Sequence, residues 1–246
     1  MKPCLLIPIY DHKDQIRAVL DSLAAFDLDC IVVDDGSGIE TRMVLDAAEK
    51  DYRWLEVYHR DVNGGRGAAL VSGYRLAVKR GFSHAIQLDA DGQHDAADVP
   101  RFIAAIETNP NALVLGTPIF DQTVPKSRLY GRQLSRFMVW LTTLSMDVSD
   151  PLCGFRGIPL GATLDLLAEV EMGQHMEFDP QLIIWLHWRG VPVINLPTKV
   201  VYDREGLSHF DFVRDNLRLI GVYLRALGGM VLRSPRLLMR RVSSAA

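Results

Sequence analysis

The sequence predicts an α/β protein built on a single doubly wound, mostly parallel sheet with helices on both faces. Short apolar runs alternate with longer segments of helical periodicity, and polar residues cluster where the apolar runs end. A chain of 246 residues with 48% hydrophobic content is also long enough to bury one α/β core. Because ligands bind at the carboxyl ends of parallel strands, we expect the polar clusters to face one crevice.

The apolar runs of the first half predict five strands, bounded by polar and turn-forming residues. They are residues 4–9, 30–33, 55–58, 85–88 and 112–115. The segments between them have helical spacing of apolar residues and predict four helices. These are residues 14–26, 40–51, 67–80 and 95–108.

The second half predicts fewer strands. We expect a loop over 119–126, a long helix over 128–146, a loop over 149–157, a helix over 180–189 and strands at 191–196 and 200–202. Over 210–232 charges recur at helical spacing on an apolar background, which predicts an amphipathic helix, and an arginine-rich tail follows. We therefore divide the chain into a domain at 1–209 and a C-terminal helix and tail at 210–246. This helix either packs on the domain or rests on anionic lipid.

Composition limits the classes of function. The formal net charge is −3, without the broad basic excess of a nucleic-acid binder. Cys4, Cys30 and Cys153 have no metal-ligand spacing, which indicates buried thiols in a reducing compartment. No run reaches the roughly 18 apolar residues of a membrane span, and the N-terminal apolar run is too short for a signal peptide. We expect a cytoplasmic protein with at most peripheral contact to the inner face of the cytoplasmic membrane.

The strongest chemical signal is the segment from Asp89 to His94, where a buried strand gives way to a helix. Residues i and i+2 of a strand point to the same side, so Asp89 and Asp91 aim two carboxylates at one point, and Gln93 adds a neutral oxygen. This donor set suits Mg²⁺ or Mn²⁺ with further ligands from water and diphosphate. The alternative is a solvated acidic turn that caps the next helix through Asp95.

Two further clusters belong to the same crevice. Asp34 and Asp35 end a strand, and we expect Asp34 to anchor the loop while Asp35 accepts from a ribose hydroxyl or a base N–H. The glycine-rich segment 63–69 lets backbone approach a ligand, with Arg66 placed to meet phosphate. It lacks a Walker lysine and the dinucleotide spacing, so kinase and dehydrogenase functions lose support. A helix cap with a turn is the structural alternative for Asp34 and Asp35.

Six motifs in order resemble the family 2 glycosyltransferases, in the branch of the dolichyl-phosphate and polyprenyl-phosphate mannose or glucose synthases. They are IPIY, VVDDGS, NGGRGAAL, LDADGQH, DPLCGFR and YDREGLSHF, and they extend over about residues 3–210. The resemblance implies a GT-A type fold and an inverting enzyme. Such an enzyme moves a hexose from GDP-mannose or a UDP-hexose to a lipid-linked acceptor, with polyprenyl phosphate as one candidate.

The resemblance also implies roles for individual residues. The donor contacts would be Pro8, Tyr10, Val33, Asp35, Asp89, Ala90, Asp91 and Arg132. The metal ligands would be Asp89, Asp91 and Gln93. The residues that shape the sugar and acceptor pocket would be Asp150, Gly154, Phe155, Arg156 and Ser208. Arg132 is the position where an arginine meets phosphate, with Arg128 nearby, and Arg204 and Ser208 lie in the loop that closes over the pyrophosphate in relatives.

The expected mechanism stabilises a departing diphosphate. A metal on Asp89 and Asp91, helped by Arg132 and Arg204, would balance the charge that develops on the leaving oxygens. A hydroxyl acceptor needs a general base, for which Asp179 is the candidate, whereas an anionic lipid phosphate needs none and Asp179 would then position it. The structural alternative for Asp179 is a helix N-cap.

Two other functions use similar residues. A sugar-nucleotide nucleotidyltransferase normally has a glycine-rich loop with arginine and lysine after its first strand, and IPIYDHKDQ lacks one. A non-catalytic nucleotide-sugar binding protein would not need Asp89, Asp91, Asp35 and Arg132 together. We therefore favour the transferase.

Overall fold

The computed structural model describes residues 1–120, 124, 126–200 and 211–245. The strands of this part are β1 (Pro3–Ile9), β2 (Cys30–Asp34), β3 (Leu55–His59), β4 (His84–Gln87), β5 (Leu113–Ile119), β6 (Arg156–Pro159) and β7 (Val193–Lys199). The α-helices are α1 (Lys13–Leu23), α2 (Ile39–Asp51), α3 (Arg66–Lys79), α4 (Val99–Thr108), α5 (Lys126–Thr143), α6 (Leu160–Glu169), α7 (Phe178–Arg189) and α8 (Phe212–Ala245).

The strands form one sheet in the order β3-β2-β1-β4-β6-β5-β7. Every pairing is parallel except those of β6, which runs antiparallel to both β4 and β5. The predicted fold class is thereby confirmed. The strands and helices predicted for the first half are all present, with ends that differ by a few residues.

Helices cover both faces of the sheet, and β1 shows how its residues serve the two layers. Leu6 packs into the cluster that contains residues of α3, α5, α6, α7 and α8. Its neighbours Leu5 and Ile7 point the other way, into the cluster that contains residues of α1, α2 and α4. Because both faces are buried, the strand is a continuous apolar run and does not alternate with polar residues.

The predictions for the second half were partly wrong. The loop predicted over 149–157 ends in β6, and α6 follows it without having been predicted. β6 reads RGIP, which has little β-propensity; its burial between β4 and β5 makes it a strand. The strand predicted at 191–196 is β7, which continues to Lys199. Val200 forms only an isolated bridge with His94, and residues 201–202 lie outside the described residues.

The predicted C-terminal helix is present and is longer than expected, because α8 continues to Ala245 through Pro235. α8 contacts both α5 and α7, and it buries Val222 and Ala226 against them. Among the residues that the structure describes, no helix combines the length and apolar content needed to cross a bilayer. The proposed domain boundary at 209/210 lies outside the described residues and stays a prediction.

Gly67 sets the distance between the start of α3 and the segment that precedes α7. A Cβ atom on Gly67 would lie 2.6 Å from the Cβ of Phe178 and 2.8 Å from the carbonyl oxygen of Gly173. The next residue, Ala68, donates its N–H to the carbonyl oxygen of Gln174 at 3.0 Å. The two backbones therefore approach more closely than any side chain would allow, and this approach brings the first turn of α3 beside α7.

Replacing Gly67 with alanine tests this contact. We expect Gly67→Ala to lower the free energy of unfolding by about 1–3 kcal/mol, because the methyl group strikes atoms of low mobility. Gly131→Ala in α5 is the matched control, since a Cβ there meets nothing within 4 Å. It should raise stability by about 0.5–1 kcal/mol through helix propensity. Urea denaturation of both variants measures the two changes, and a shared sign would contradict the packing account.

Candidate active site

The polar clusters predicted to share a crevice are joined to one another at the carboxyl ends of β1, β2 and β4. The N–H of Asp35 donates to the carbonyl oxygen of Ile9 at 2.9 Å, which links the ends of β2 and β1. Asp35 in turn accepts from the N–H of Gly65 at 2.7 Å. Arg66, which follows, places Nη2 at 2.6 Å from Oδ1 of Asp89 at the end of β4. The clusters therefore form one site.

Asp34 anchors the turn after β2, as expected. Its carboxylate is fully buried, and Oδ1 accepts the N–H of Ser37 at 2.9 Å. Oδ2 lies 2.7 Å from Nδ1 of His59, at the end of β3. Both oxygens of the Asp34 carboxylate thus bind groups of the protein itself. Asp34 therefore holds the loop, and Asp35 is the residue of the pair that we predict to contact ligand.

Asp35 holds the glycine-rich loop. Oδ1 accepts the N–H of Gly64 at 3.1 Å and pairs with the guanidinium of Arg60, while Oδ2 accepts from Gly65. Burial raises the pKa of the Asp35 carboxyl, although these N–H groups and Arg60 oppose the rise. Its contact with a nucleotide stays a prediction, because both of its oxygens already have protein partners.

A row of four alternating charges crosses the site. It begins with Asp89, continues through Arg66, whose Nε donates to Oδ2 of Asp179 at 2.9 Å, and ends at Arg156. Nη1 of Arg156 donates to Oδ1 of Asp179 at 2.6 Å. Asp179 lies within the first turn of α7 and is not its N-cap, so the structural alternative for it was wrong. The sequence placed Arg66 against phosphate, whereas here it joins two carboxylates.

Arg156 fixes the segment that carries Gly154. Its side chain is fully buried, Nε donates to the carbonyl oxygen of Cys153 at 2.7 Å, and Nη2 donates to that of Pro151 at 2.9 Å. Gly154 packs directly on the carboxylate of Asp89, and a Cβ there would collide with it. This segment is therefore a wall for Asp89, built around a buried cation whose nitrogens all have acceptors.

Asp89 and Asp91 have opposite pKa directions. Burial alone would raise the pKa of Asp89, but Arg66 and His94 outweigh it and lower the pKa. The pKa of Asp91 is raised, first by burial and then by the negative charge of Asp89. The negative charge of Asp89 thus disfavours a second charge on Asp91, which is the electrostatic setting that a divalent cation relieves.

The donor set fits a hard divalent cation. Oδ1 of Asp89 is buried without an aligned hydrogen bond, although Arg66 lies close, and both acidic side chains supply carboxylate oxygens. Within the described part of the chain no group of three or more His, Cys, Asp or Glu side chains could hold a metal. Asp89 and Asp91 would give two carboxylate ligands, and Gln93, water or ligand would fill the other positions.

The neighbours of this pair have separate roles. The backbone N–H of Gln93 donates to Oδ1 of Asp91 at 3.0 Å, and metal binding by the Gln93 side chain stays a prediction. Asp95 accepts the N–H of Ala97 at 3.0 Å and caps a 3₁₀ turn, Ala96–Asp98. The capping expected of an acidic turn therefore belongs to Asp95, so it does not account for Asp89 and Asp91.

Arg132 reaches the site from α5. Its Nη1 donates to Oδ2 of Asp150 at 2.7 Å, and its guanidinium carbon lies 5.1 Å from the ring centre of Phe120. Asp150 also accepts the N–H of Leu152 at 2.7 Å and so ties α5 to the Gly154 segment. The positions of Arg204 and Ser208 and the side chain of Arg128 lie outside the described residues.

Several residues that we predict to contact ligand have buried side chains, and their ligand contacts stay predictions. The side chains of Pro8, Val33, Ala90 and Phe155 are buried, and Val33 belongs to the core cluster beneath α3. Phe155 stacks on Phe102 with ring centres 4.0 Å apart, and Arg156 is equally buried. Pro8 and Val33 lie in strands that helices cover on both faces, and side chains of such strands belong to the core. Tyr10, which follows the end of β1, is partly exposed.

Sequence reasoning missed a buried polar chain behind the Gly154 segment. The hydroxyl of Tyr74 donates to Oε1 of Gln87 at 2.7 Å, and Nε2 of Gln87 donates to the carbonyl oxygen of Gly154 at 3.2 Å. A glutamine inside the four-residue buried strand β4 was the available signal. A buried amide needs partners, and here they tie α3 and the Gly154 segment to the strand that delivers Asp89.

Comparisons with known proteins agree with this geometry. Residues 4–156 match the family model for glycosyl transferase family 2. An undecaprenyl-phosphate mannosyltransferase of Micrococcus luteus is 28% identical over 63% of this chain and 65% of its own length. A polyprenol monophosphomannose synthase of Mycolicibacterium smegmatis is 26% identical over 83% of this chain and 79% of its own.

The fold also has solved counterparts. The crystal structure of glucosyl-3-phosphoglycerate synthase from Mycobacterium tuberculosis with Mn²⁺ and UDP-glucose superposes with a TM-score of 0.67 at 18% identity. The similarity covers 92% of this chain and 79% of that one. At this level of identity the likeness establishes the shared fold.

Removing the Arg66 guanidinium tests the charge row. We expect Arg66→Met to lower the free energy of unfolding by about 3 kcal/mol at pH 7, because it removes the guanidinium that pairs with Asp89 and leaves Asp179 with Arg156 as its one arginine partner. Arg66→Lys should recover part of the loss, since a lysine keeps the charge but not the fork that reaches both acids. Arg80→Met, which breaks an exposed pair with Glu56, is the control and should change little. Equal stabilities of the three variants in urea would contradict the account.

Proposed function

The chain belongs to glycosyl transferase family 2, and from that premise we propose that it transfers a hexose from a nucleotide-diphosphate sugar to a lipid phosphate. The reaction would be inverting and dependent on Mg²⁺ or Mn²⁺. One observation carries the proposal: Asp89 and Asp91 leave β4 at the junction of the three polar clusters, with a buried oxygen of Asp89 in no aligned hydrogen bond. The donor would be a GDP- or UDP-linked hexose.

Asp89 and Asp91 would hold the metal, which when bound stabilises the negative charge that develops on the leaving diphosphate. Arg66 keeps the Asp89 carboxylate ionised and in place by its ion pair at 2.6 Å. Gly154 leaves room for that carboxylate itself, since any side chain there would collide with it. In this scheme the residues around Asp89 prepare an anionic pair in a partly buried crevice, where charge interactions are strong.

Cationic side chains would bind the diphosphate itself. Arg132 pairs with one carboxylate, that of Asp150, through Nη1. This contact holds the guanidinium group in a fixed orientation. We propose that Arg132 binds a phosphate oxygen, and that Arg204 and Ser208 contribute from the 201–210 segment. Tyr10 and Asp35 would face the nucleoside at the ends of β1 and β2.

The contacts of Asp179 favour a phosphate acceptor over a hydroxyl acceptor. Both of its oxygens accept hydrogen bonds from guanidinium groups, Oδ2 from Arg66 and Oδ1 from Arg156, and the side chain is buried. A carboxylate held in this way is poorly placed to take a proton from an alcohol. A lipid phosphate is already anionic and needs no base. Asp179 would then act as a positioning residue that keeps Arg66 beside Asp89.

This acceptor class agrees with the names of the relatives from Micrococcus luteus and Mycolicibacterium smegmatis. It also sets the place of the reaction, which we propose is the inner face of the cytoplasmic membrane, reached from the cytoplasm. The nucleotidyltransferase alternative loses support, since the glycine-rich loop follows β3 at Gly64 and Gly65 and not β1.

Thermal stabilisation by donor tests the proposal. We expect one nucleotide sugar of a GDP- and UDP-linked panel to raise the melting temperature in the presence of Mn²⁺. At a hundred times Kd a ligand adds about 2.7 kcal/mol to stability by mass action. Asp91→Ala should remove the metal-dependent part of this shift and abolish transfer to polyprenyl phosphate.

Asp95→Ala is the matched control, because Asp95 caps a 3₁₀ turn four residues away. It should retain the full Mn²⁺-dependent shift. If Asp91→Ala keeps that shift as well, the metal assignment is wrong. A donor that stabilises the wild-type chain without any transfer would instead support the non-catalytic alternative.

A further inference from the structure

α5 carries a row of exposed apolar side chains on one side. The row consists of Tyr130, Leu134, Phe137 and Leu141. At 3.6 residues per turn these positions fall within about 60° of arc, so they form one stripe along the helix. Tyr130 is 73% exposed and Leu134 is 64% exposed. Single apolar residues are common at protein surfaces, whereas a contiguous row of them indicates a contact surface.

α8 carries a second stripe of the same kind. Its members are Val213, Leu217, Ile220, Leu224, Val231 and Leu238. They too fall within about 60° of arc over seven turns of helix. Leu217 and Leu224 are each 63% exposed.

These stripes are not the sides by which the helices pack on the domain. α5 buries Val139 and Thr142, and α8 buries Val222 and Ala226. On α8 the stripe lies at least a third of a turn from these buried positions, and on α5 it lies at least about 80° from them. α5, α7 and α8 contact one another, so the packing of both helices is already complete without the stripes.

The same two helices hold a concentrated positive charge. Together they contain eleven arginine or lysine residues and one acidic residue, Asp215, whereas the whole chain has a formal net charge of −3. The rest of the chain is therefore strongly acidic. On α8 four arginines fall within about 40° of arc beside the apolar stripe. They are Arg214, Arg218, Arg225 and Arg236.

We propose that the outer sides of α5 and α8 form a docking surface for an anionic lipid bilayer. An apolar stripe bordered by arginines matches the boundary between acyl chains and anionic headgroups. If a second copy of the chain bound to the α8 stripe through its own α8 stripe, the arginine rows of the two helices would lie close together and repel each other. A nucleic acid would leave the apolar stripes exposed to water.

The surface extends the proposed function, because α5 belongs to both the docking surface and the site. Arg132 lies on the side of α5 nearly opposite the stripe, where it pairs with Asp150. A bilayer bound to α5 would thus be one helix diameter, about 10 Å, from the segment that holds Gly154. The inference rests on the proposed function only for its biological purpose, and the surface itself is defined by exposure and charge.

Vesicle flotation of the full chain tests the docking surface. We expect binding to vesicles of phosphatidylcholine with about one third phosphatidylglycerol, weaker binding at high salt, and little binding to phosphatidylcholine alone. Leu134→Glu/Phe137→Glu on α5 and Leu217→Glu/Leu224→Glu on α8 should each reduce partitioning about tenfold or more. Met43→Glu, which alters an exposed apolar residue of α2, is the matched control and should float like the wild-type chain.

The outcomes separate this inference from the proposed function. Melting temperatures close to wild type establish that the variants are folded. Absence of wild-type flotation overturns the surface even if sugar is transferred to a short, water-soluble polyprenyl phosphate. Unchanged flotation of the α5 variant overturns the part of the surface assigned to α5. A dimer in light scattering that both double variants dissociate would assign the stripes to a second copy and overturn the lipid proposal. Flotation without transfer would leave the surface standing and count against the transferase.

Discussion

The guanidinium of Arg66 lies between the carboxylates of Asp89 and Asp179, and the arrangement of the site depends on this bridge. Asp89 comes from the end of β4, Asp179 from the first turn of α7, and Arg66 from the first turn of α3. Three elements that are distant in sequence therefore meet at one cation. Gly67 allows the approach of α3 and α7, and Arg156 supplies the second positive charge that Asp179 needs.

This bridge gives the proposed transferase a charge-balanced resting site. The carboxylates of Asp89 and Asp91, the proposed metal ligands, repel each other, and Arg66 keeps Asp89 ionised. Such a pair is costly to bury, so the surrounding segment is fixed by hydrogen bonds of Arg156 and Gln87. The rigidity would also serve catalysis, because oriented charges need no rearrangement when negative charge develops on a leaving diphosphate.

The sequence was informative where local chemistry and topology agree. The order of strands and helices in the first half follows from hydrophobic periodicity alone. Asp89 and Asp91 lie in a turn after β4, where the alternation of strand side chains does not apply, so their shared metal site stays a prediction of the motif. The partner of Asp89 could not be predicted, since an arginine after a glycine-rich turn is equally suited to phosphate. β6 could not be predicted, because its pairing with β4 and β5 and not its own four residues determines its extended conformation. The side chains of Val33 and Phe155 are fully buried, which the motifs did not indicate, and the ligand contacts of both residues stay predictions.

The central claim is that Asp89 and Asp91 together bind a divalent cation beside Arg66. Crystals of the chain grown with Mn²⁺ and the nucleoside diphosphate of the donor would test it through anomalous scattering at the manganese edge. The account predicts a peak within about 2.5 Å of oxygens from both carboxylates, with diphosphate oxygens completing the coordination. A peak bound elsewhere, or Asp89 turned to Arg66 with no metal while the nucleotide is bound, would contradict it.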